Sequence, residues 1–160
     1  MGMIGGGKNA FIGAVHRIAA NIDGLIELHC GAFSSNPELS MESGQALFLP
    51  KDKSYGSYEE MITTEAQLPP NERMDFVSIV TPNHAHFAPA MMALEHGFHV
   101  VLDKPMTLTL DEAKKLAQKV KETGENKAFL GIITIPPVPW PMENKAGILF
   151  QTTGLSFDSN

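Results

Sequence analysis

Three clusters in this sequence hold residue types that can do chemistry, and each directly follows an apolar run. The first is Gly5-Gly6-Gly7, with Ala10 and Gly13 a few residues on. Gly5, Gly7 and Ala10 match the spacing GxGxx(G/A), in which glycines let the backbone turn tightly and approach a pyrophosphate. The phosphate charge then falls on free N–H groups at a helix N-terminus. Gly5, Gly7, Ala10, Phe11 and Ile12 are therefore the cofactor-binding candidates at this end of the chain. The plainer alternative is a flexible glycine-rich start.

A dinucleotide site places a second group at the end of the next strand, an acid for ribose hydroxyls or a base for a 2′-phosphate. This sequence has Ser34, Ser35 and Asn36 there. Serine hydroxyls can bond either group, so Ser34 and Ser35 are candidates that leave NAD and NADP both open. The three residues also serve as turn formers before Pro37.

The second cluster is Thr81-Pro82-Asn83-His84-Ala85-His86, following Ser78-Ile79-Val80. It stands beyond a strand end, at the sheet edge where α/β folds bind ligands, so Thr81, Pro82, Asn83 and His86 are candidates to line a cofactor cleft. A strand–turn–helix junction with solvated histidines is the other reading. No Cys, Asp or Glu stands near His84 and His86 to complete a metal-ligand set, and no metal is expected.

The third cluster is Asp103-Lys104-Pro105, again at a predicted strand end. A lysine there can neutralise or orient a substrate oxygen, and near a nicotinamide it can take part in proton transfer. A solvated turn lysine is the alternative.

The elements that must position these clusters alternate in the manner of repeated βα units, which predicts a parallel sheet. Met1 to Ile4 reads as the first strand. The helix after it carries Val15, Ile18, Ala19 and Ile22 on an expected inward face and stops at Gly24, and Leu25 to Phe33 reads as the second strand. Short helices are expected over Asn36 to Gly44 and over Ser57 to Gln67, the latter capped by Ser57. Asp75 to Val80 reads as an inner strand after Pro69 and Pro70. Pro89, tolerated in a first turn, places the next helix start near His86 and its end at Gly97. Phe98 to Leu102 is the following strand. Thr109 and Glu112 form a capping box for a helix with Ala113, Leu116, Ala117 and Val120 in phase, ending at Gly124. Ala128 to Thr134 completes the pattern. Residues 1–133 are thus expected to form a doubly wound parallel sheet, an α/β Rossmann fold. Residues 134–160, with Pro136, Pro137, Pro139 and Pro141 around Trp140, read as a proline-rich tail rather than a domain.

Composition narrows the function classes. The 160 residues are 43% hydrophobic and 19% charged, a balance that folds without staples. A net charge of −6 with no basic run gives a nucleic-acid backbone or an anionic membrane little electrostatic support, and neither is expected as a partner. Cys30, the single cysteine, lies in an apolar stretch that suits a buried side chain better than a nucleophile. No segment has the length of a membrane span or the pattern of a signal peptide, and Gly6 stands where a myristoylation signal needs Ser or Thr. A cytoplasmic location is the expectation.

Taken together, these residues resemble the Gfo/Idh/MocA family of NAD(P)-dependent oxidoreductases. The resemblance runs along most of residues 2–133: Gly-Met-Ile-Gly-Gly-Gly and Ala-Phe-Ile-Gly near the start, Ser-Ile-Val-Thr-Pro-Asn-His in the middle, then Asp-Lys-Pro. It implies NAD or NADP as cofactor and hydride transfer to or from hydroxyl carbons of sugars, inositols and related polyols. Asp103-Lys104-Pro105 looks like the family's Glu-Lys-Pro, whose lysine contacts cofactor and substrate, and this makes Lys104 the catalytic candidate. The family's second domain, which supplies a catalytic histidine, is expected to be largely absent, since 26 residues follow Thr134 and none is a histidine. The expectation is a nucleotide-binding portion without turnover of its own. Its uncovered apolar face would be covered by the tail or by a second copy of the chain, with Trp140, Ile148, Leu149 and Phe150 as the anchors, and self-association is expected. A non-enzymatic NAD(P)-binding or regulatory module is the alternative.

Overall fold

In a computed structural model, the structure is described for residues 1–123 and for the strand Phe129–Gly131. Its strands are β1 (Gly2–Gly5), β2 (Cys30–Ala32), β3 (Phe76–Val80), β4 (His99–Leu102) and β5 (Phe129–Gly131). They form one parallel sheet in the order β2-β1-β3-β4-β5. The helices are α1 (Phe11–Ala20), α2 (Pro37–Ala46), α3 (Tyr58–Gln67), α4 (Phe87–Glu95) and α5 (Leu110–Glu122). The step from β1 to β2 runs opposite to every later step. Right-handed crossovers therefore place α1 on one face and the other helices on the second. This is the expected doubly wound fold. The proline-rich tail lies outside the described residues.

Local chemistry explains most element boundaries. Ser57 Oγ accepts the Glu60 N–H, and Thr109 with Glu112 makes the full capping box at α5. Asn36 Oδ1 accepts the Leu39 N–H at the start of α2, with Pro37 in the first turn. Gly97 and Gly24 take positive φ at 86° and 72°, where a glycine carries little cost. Among the described residues, no helix is long and apolar enough to cross a membrane.

The two faces of the sheet are packed differently. Ile4, Val77, Ile79, Val100 and Leu102 point to one face, against Met61 and Ile62 of α3, Ala90, Ala93 and Leu94 of α4, and Leu116 and Val120 of α5. Met3 and Val80 point to the other, with half-buried Ile12 and Ala20 of α1. Cys30 is fully buried, and burial pushes its thiol pKa up, so it is a packing residue.

Two expectations are corrected. The second strand is Cys30–Ala32 rather than Leu25 to Phe33. Within the sheet β2 pairs with β1, whose Gly2, Met3 and Ile4 offer three partners, its other edge makes only a single bridge, from Gly31 to Ser54, among the described residues, and Leu25 is exposed. The face of α1 is also inverted. Val15, Ile18 and Ile22 point to solvent with Phe11, at 38%, 69%, 83% and 83% exposure. The cause is Gly13, which lies against Gly6 so closely that a Cβ there would overlap the Gly6 carbonyl. That contact sets the helix phase. It turns Gly13, Ile12, His16, Arg17 and Ala20 inward and sends the apolar stripe outward.

Candidate functional site: a dinucleotide cleft

A cleft of about 600 Å³ opens at the C-terminal edge of the sheet. The chain reverses its direction of winding between β1 and β3, and α/β sheets bind ligands at such a switch point. Gly5, Gly6, Ala10, Ser34, Ser35, Thr81 and Pro82 all line it. Gly7 lines instead an adjoining recess, with Lys8 and Glu42, and Ser34 lines both.

The glycines divide the work. Gly5 and Gly6 hold φ of 80° and 69°, turning the chain out of β1. A Cβ on Gly5 would press on the Thr81 backbone, and one on Gly7 on the Phe33 carbonyl and Ser43. Gly13, not one of the candidates above, provides the close helix–strand packing of the third position of the fingerprint. Arg17 Nη1 donates to the Gly6 carbonyl at 2.8 Å and holds the turn from behind.

This cradle fits a pyrophosphate. Ala10 caps α1 without a side-chain hydrogen bond, and the first turn carries no acidic residue. The leading N–H groups of the helix thus have no acceptor within it, and the positive end of its dipole faces the cleft at Ala10. Phe11 and Ile12, also expected here, line neither the cleft nor the recess: the Phe11 ring is exposed and Ile12 packs toward the sheet.

The remaining candidates separate. Asn83 opens a short 3₁₀ turn, and its carbonyl accepts the His86 N–H, while His84 takes the place at the cleft wall. His86 does not line the cleft. It is 1% exposed, and its Nδ1 reaches the Pro105 carbonyl at 2.9 Å and its Nε2 the Thr81 carbonyl at 2.7 Å. Asp103 is also buried, accepting the Lys104 N–H on Oδ1 at 2.7 Å. Lys104 and Pro105 are exposed at the end of β4, joined by a cis peptide. Lys104 thus projects from a loop held at Asp103 and at Pro105.

One participant escaped the sequence reading. His16 of α1 hydrogen-bonds Ser78 Oγ at 3.1 Å and brings Nε2 to 3.9 Å from Asp103. Burial lowers its pKa, and the Asp103 carboxylate opposes that shift. The pair links the cofactor helix to the lysine loop. Its only sequence signal is a polar residue on the inward face of α1, visible once the phase set by Gly13 is known.

The profile of the Gfo/Idh/MocA oxidoreductases, described as an oxidoreductase family with an NAD-binding Rossmann fold, matches residues 1–130. The chain belongs to this family. An oxidoreductase from Sinorhizobium meliloti superposes with a TM-score of 0.75 at 47% identity, over 81% of this chain and 35% of that one. An inositol dehydrogenase homolog from Azotobacter vinelandii, complexed with NADH and myo-inositol, gives 0.76 at 37% identity, over 81% and 33%. The uncharacterized oxidoreductase YfiI of Bacillus subtilis (strain 168) is 32% identical over 124 residues, which are 77% of this chain and 31% of that protein. The chain therefore spans about a third of the relatives it matches.

Proposed function

We propose that this chain is the nucleotide-binding portion of an NAD(P)-dependent dehydrogenase acting on sugars, inositols or related polyols. The observation that carries the reading is the uncapped start of α1 beside the Gly5–Gly6 turn, opening into a cleft at the switch point of the sheet. When bound, the nicotinamide supplies the hydride acceptor or donor. The chain's own part is to hold the dinucleotide. The glycine turn lets its backbone come close, the N–H groups of α1 take the pyrophosphate charge, and Ser34 and Ser35 meet the adenosine ribose.

Lys104 stands at the nicotinamide end, two strands from the glycine turn, where its ammonium orients a substrate oxygen. His86 and Asp103 fix the loop that carries it. The polyol class is carried over from the bound myo-inositol of the Azotobacter vinelandii homolog. Because the chain spans a third of its relatives, hydride transfer is proposed for the longer protein. The 160 residues alone are proposed to bind dinucleotide and to self-associate without turning over a polyol.

The test has two arms. In a longer protein containing this domain, Lys104→Met should abolish turnover while circular dichroism shows the fold retained. Surviving turnover would remove Lys104 from the reaction. The chain alone, assayed with a panel of sugars and inositols and both cofactors, should give no turnover, and clear activity would refute that part.

A further inference from the structure

We infer that the adenosine end of this cleft selects NAD(H) over NADP(H), an inference that rests on the dinucleotide reading above. The two cofactors differ only at the adenosine ribose, where NADP carries a 2′-phosphate in place of a hydroxyl. A phosphate monoester brings a charge of about −1.5 to −2 near neutral pH and acceptor oxygens that need donors. The question is what the wall around Ser34 and Ser35 offers such a group.

It offers little positive charge. Among the described residues, no lysine or arginine lines the cleft, whereas Glu59 does, beside Tyr58. Two helices begin here, α2 after Ser34 and Ser35 and α3 after Gly56 and Ser57, and helix starts are ready anion sites only while their N–H groups are free. These are engaged. Asn36 Oδ1 takes the Leu39 N–H at 3.1 Å, Ser57 Oγ takes the Glu60 N–H at 3.2 Å, and Glu60 Oε2 takes the Gly56 N–H at 3.0 Å. Glu38 in the first turn of α2 and Glu59 and Glu60 in that of α3 further offset the two helix dipoles. The α1 start, by contrast, has neither cap nor acid.

Among the described residues that line the cleft and the adjoining recess, Lys8 is the only lysine or arginine, and it stands in the recess together with Glu42. A phosphate near Ser34 would thus have Lys8 with Glu42 in the adjoining recess and Glu59 in the cleft wall, beside two helix starts whose first turns carry Glu38 and Glu60. A ribose hydroxyl meets a different wall, because it can donate to a carboxylate and exchange hydrogen bonds with the Ser34 and Ser35 hydroxyls. The same side chains that suit a diol repel a phosphate dianion.

The experiment is calorimetric titration of this chain with NADH, NADPH and ADP-ribose at low salt and again at 0.5 M salt. NADH should bind at least roughly tenfold more tightly than NADPH at low salt, and the ratio should shrink at high salt because the carboxylates are exposed. Glu59→Gln and the double variant Glu38→Gln/Glu59→Gln should raise NADPH affinity severalfold and change NADH affinity less. NADPH binding as tightly as NADH overturns the inference while leaving the dinucleotide reading intact. A preference unmoved by salt or by these variants also overturns it, since the proposed cause is electrostatic. A folded chain that binds none of the three ligands overturns the reading and the inference together.

Discussion

The His86 ring and the Pro105 carbonyl are joined by a 2.9 Å hydrogen bond, and the same ring reaches the Thr81 carbonyl at 2.7 Å. One buried side chain thereby fastens the loop after β4, which carries Lys104, to the loop after β3, which lines the cleft with Thr81 and Pro82. Which ring nitrogen donates depends on the tautomer, so His86→Leu should remove at least one hydrogen bond to these two carbonyls and cost about 1–3 kcal/mol of stability. Chemical denaturation measures that loss. Amide exchange at Lys104 and Met106 should accelerate more than exchange in α5, and uniform acceleration would show a merely global effect.

Gly13→Ala tests how α1 is seated. The added Cβ would meet the Gly6 backbone, so α1 must back away from β1 at a cost of about 1–3 kcal/mol. The displaced helix should also bind dinucleotide less well. Gly24→Ala is the comparison: nothing lies within 4 Å of its Cβ position, and its φ of 72° alone should cost about 1 kcal/mol. Equal effects on cofactor affinity from the two substitutions would contradict the seating.

Glu65 governs the acid limb of stability. Its carboxylate is fully buried at the opposite end of the sheet, bonded to Lys53 Nζ at 2.9 Å, Tyr55 OH at 2.9 Å and the Met74 N–H at 2.8 Å. Burial by itself pushes its pKa up, but Lys53, the Met74 amide and Tyr55 together hold it below the ordinary carboxylate value. A depressed folded-state pKa stabilises the fold above the unfolded pKa of about 4.3, and that contribution disappears as pH falls through the folded value. Urea midpoints should therefore drop below about pH 4.3 in the native chain. Glu65→Gln should lose about 3 kcal/mol at neutral pH, because Lys53 is left without its charge partner, and should show a flatter acid limb. An unchanged acid limb would assign the drop to other carboxylates.

The outward stripe of Phe11, Val15, Ile18 and Ile22 predicts self-association of the chain. Ile18→Glu with Ile22→Glu, both on the exposed face, should shift sedimentation toward monomer with little change in unfolding midpoint. Persistent oligomers in that variant would place the contact elsewhere.

Much of this architecture was legible because it is local. The capping box of Thr109 and Glu112 and the Ser57 cap depend on residues three positions apart, and they appear where their spacing predicts. The glycine turn, Ser34, Ser35, Thr81 and Pro82 converge on one cleft because each follows a strand of a single parallel sheet. What the sequence hid is set by long-range contact. The phase of α1 depends on Gly13 meeting Gly6, so periodicity assigned Val15, Ile18 and Ile22 to the wrong side. The length of β2 depends on how many residues β1 can pair. His86, read as a cleft residue, bridges two carbonyls instead, and His16 reaches Ser78 across 62 positions of sequence.

The most direct test of the central claim is titration of the folded chain with NADH, read by calorimetry or by nicotinamide fluorescence. The account predicts saturable binding at one site per chain, weakened at least about tenfold by Gly6→Val, whose side chain would meet Gly13 and Val80 in the turn that receives the pyrophosphate. A folded chain that shows no saturable binding, or a folded Gly6→Val variant that binds as tightly as the native chain, would contradict it.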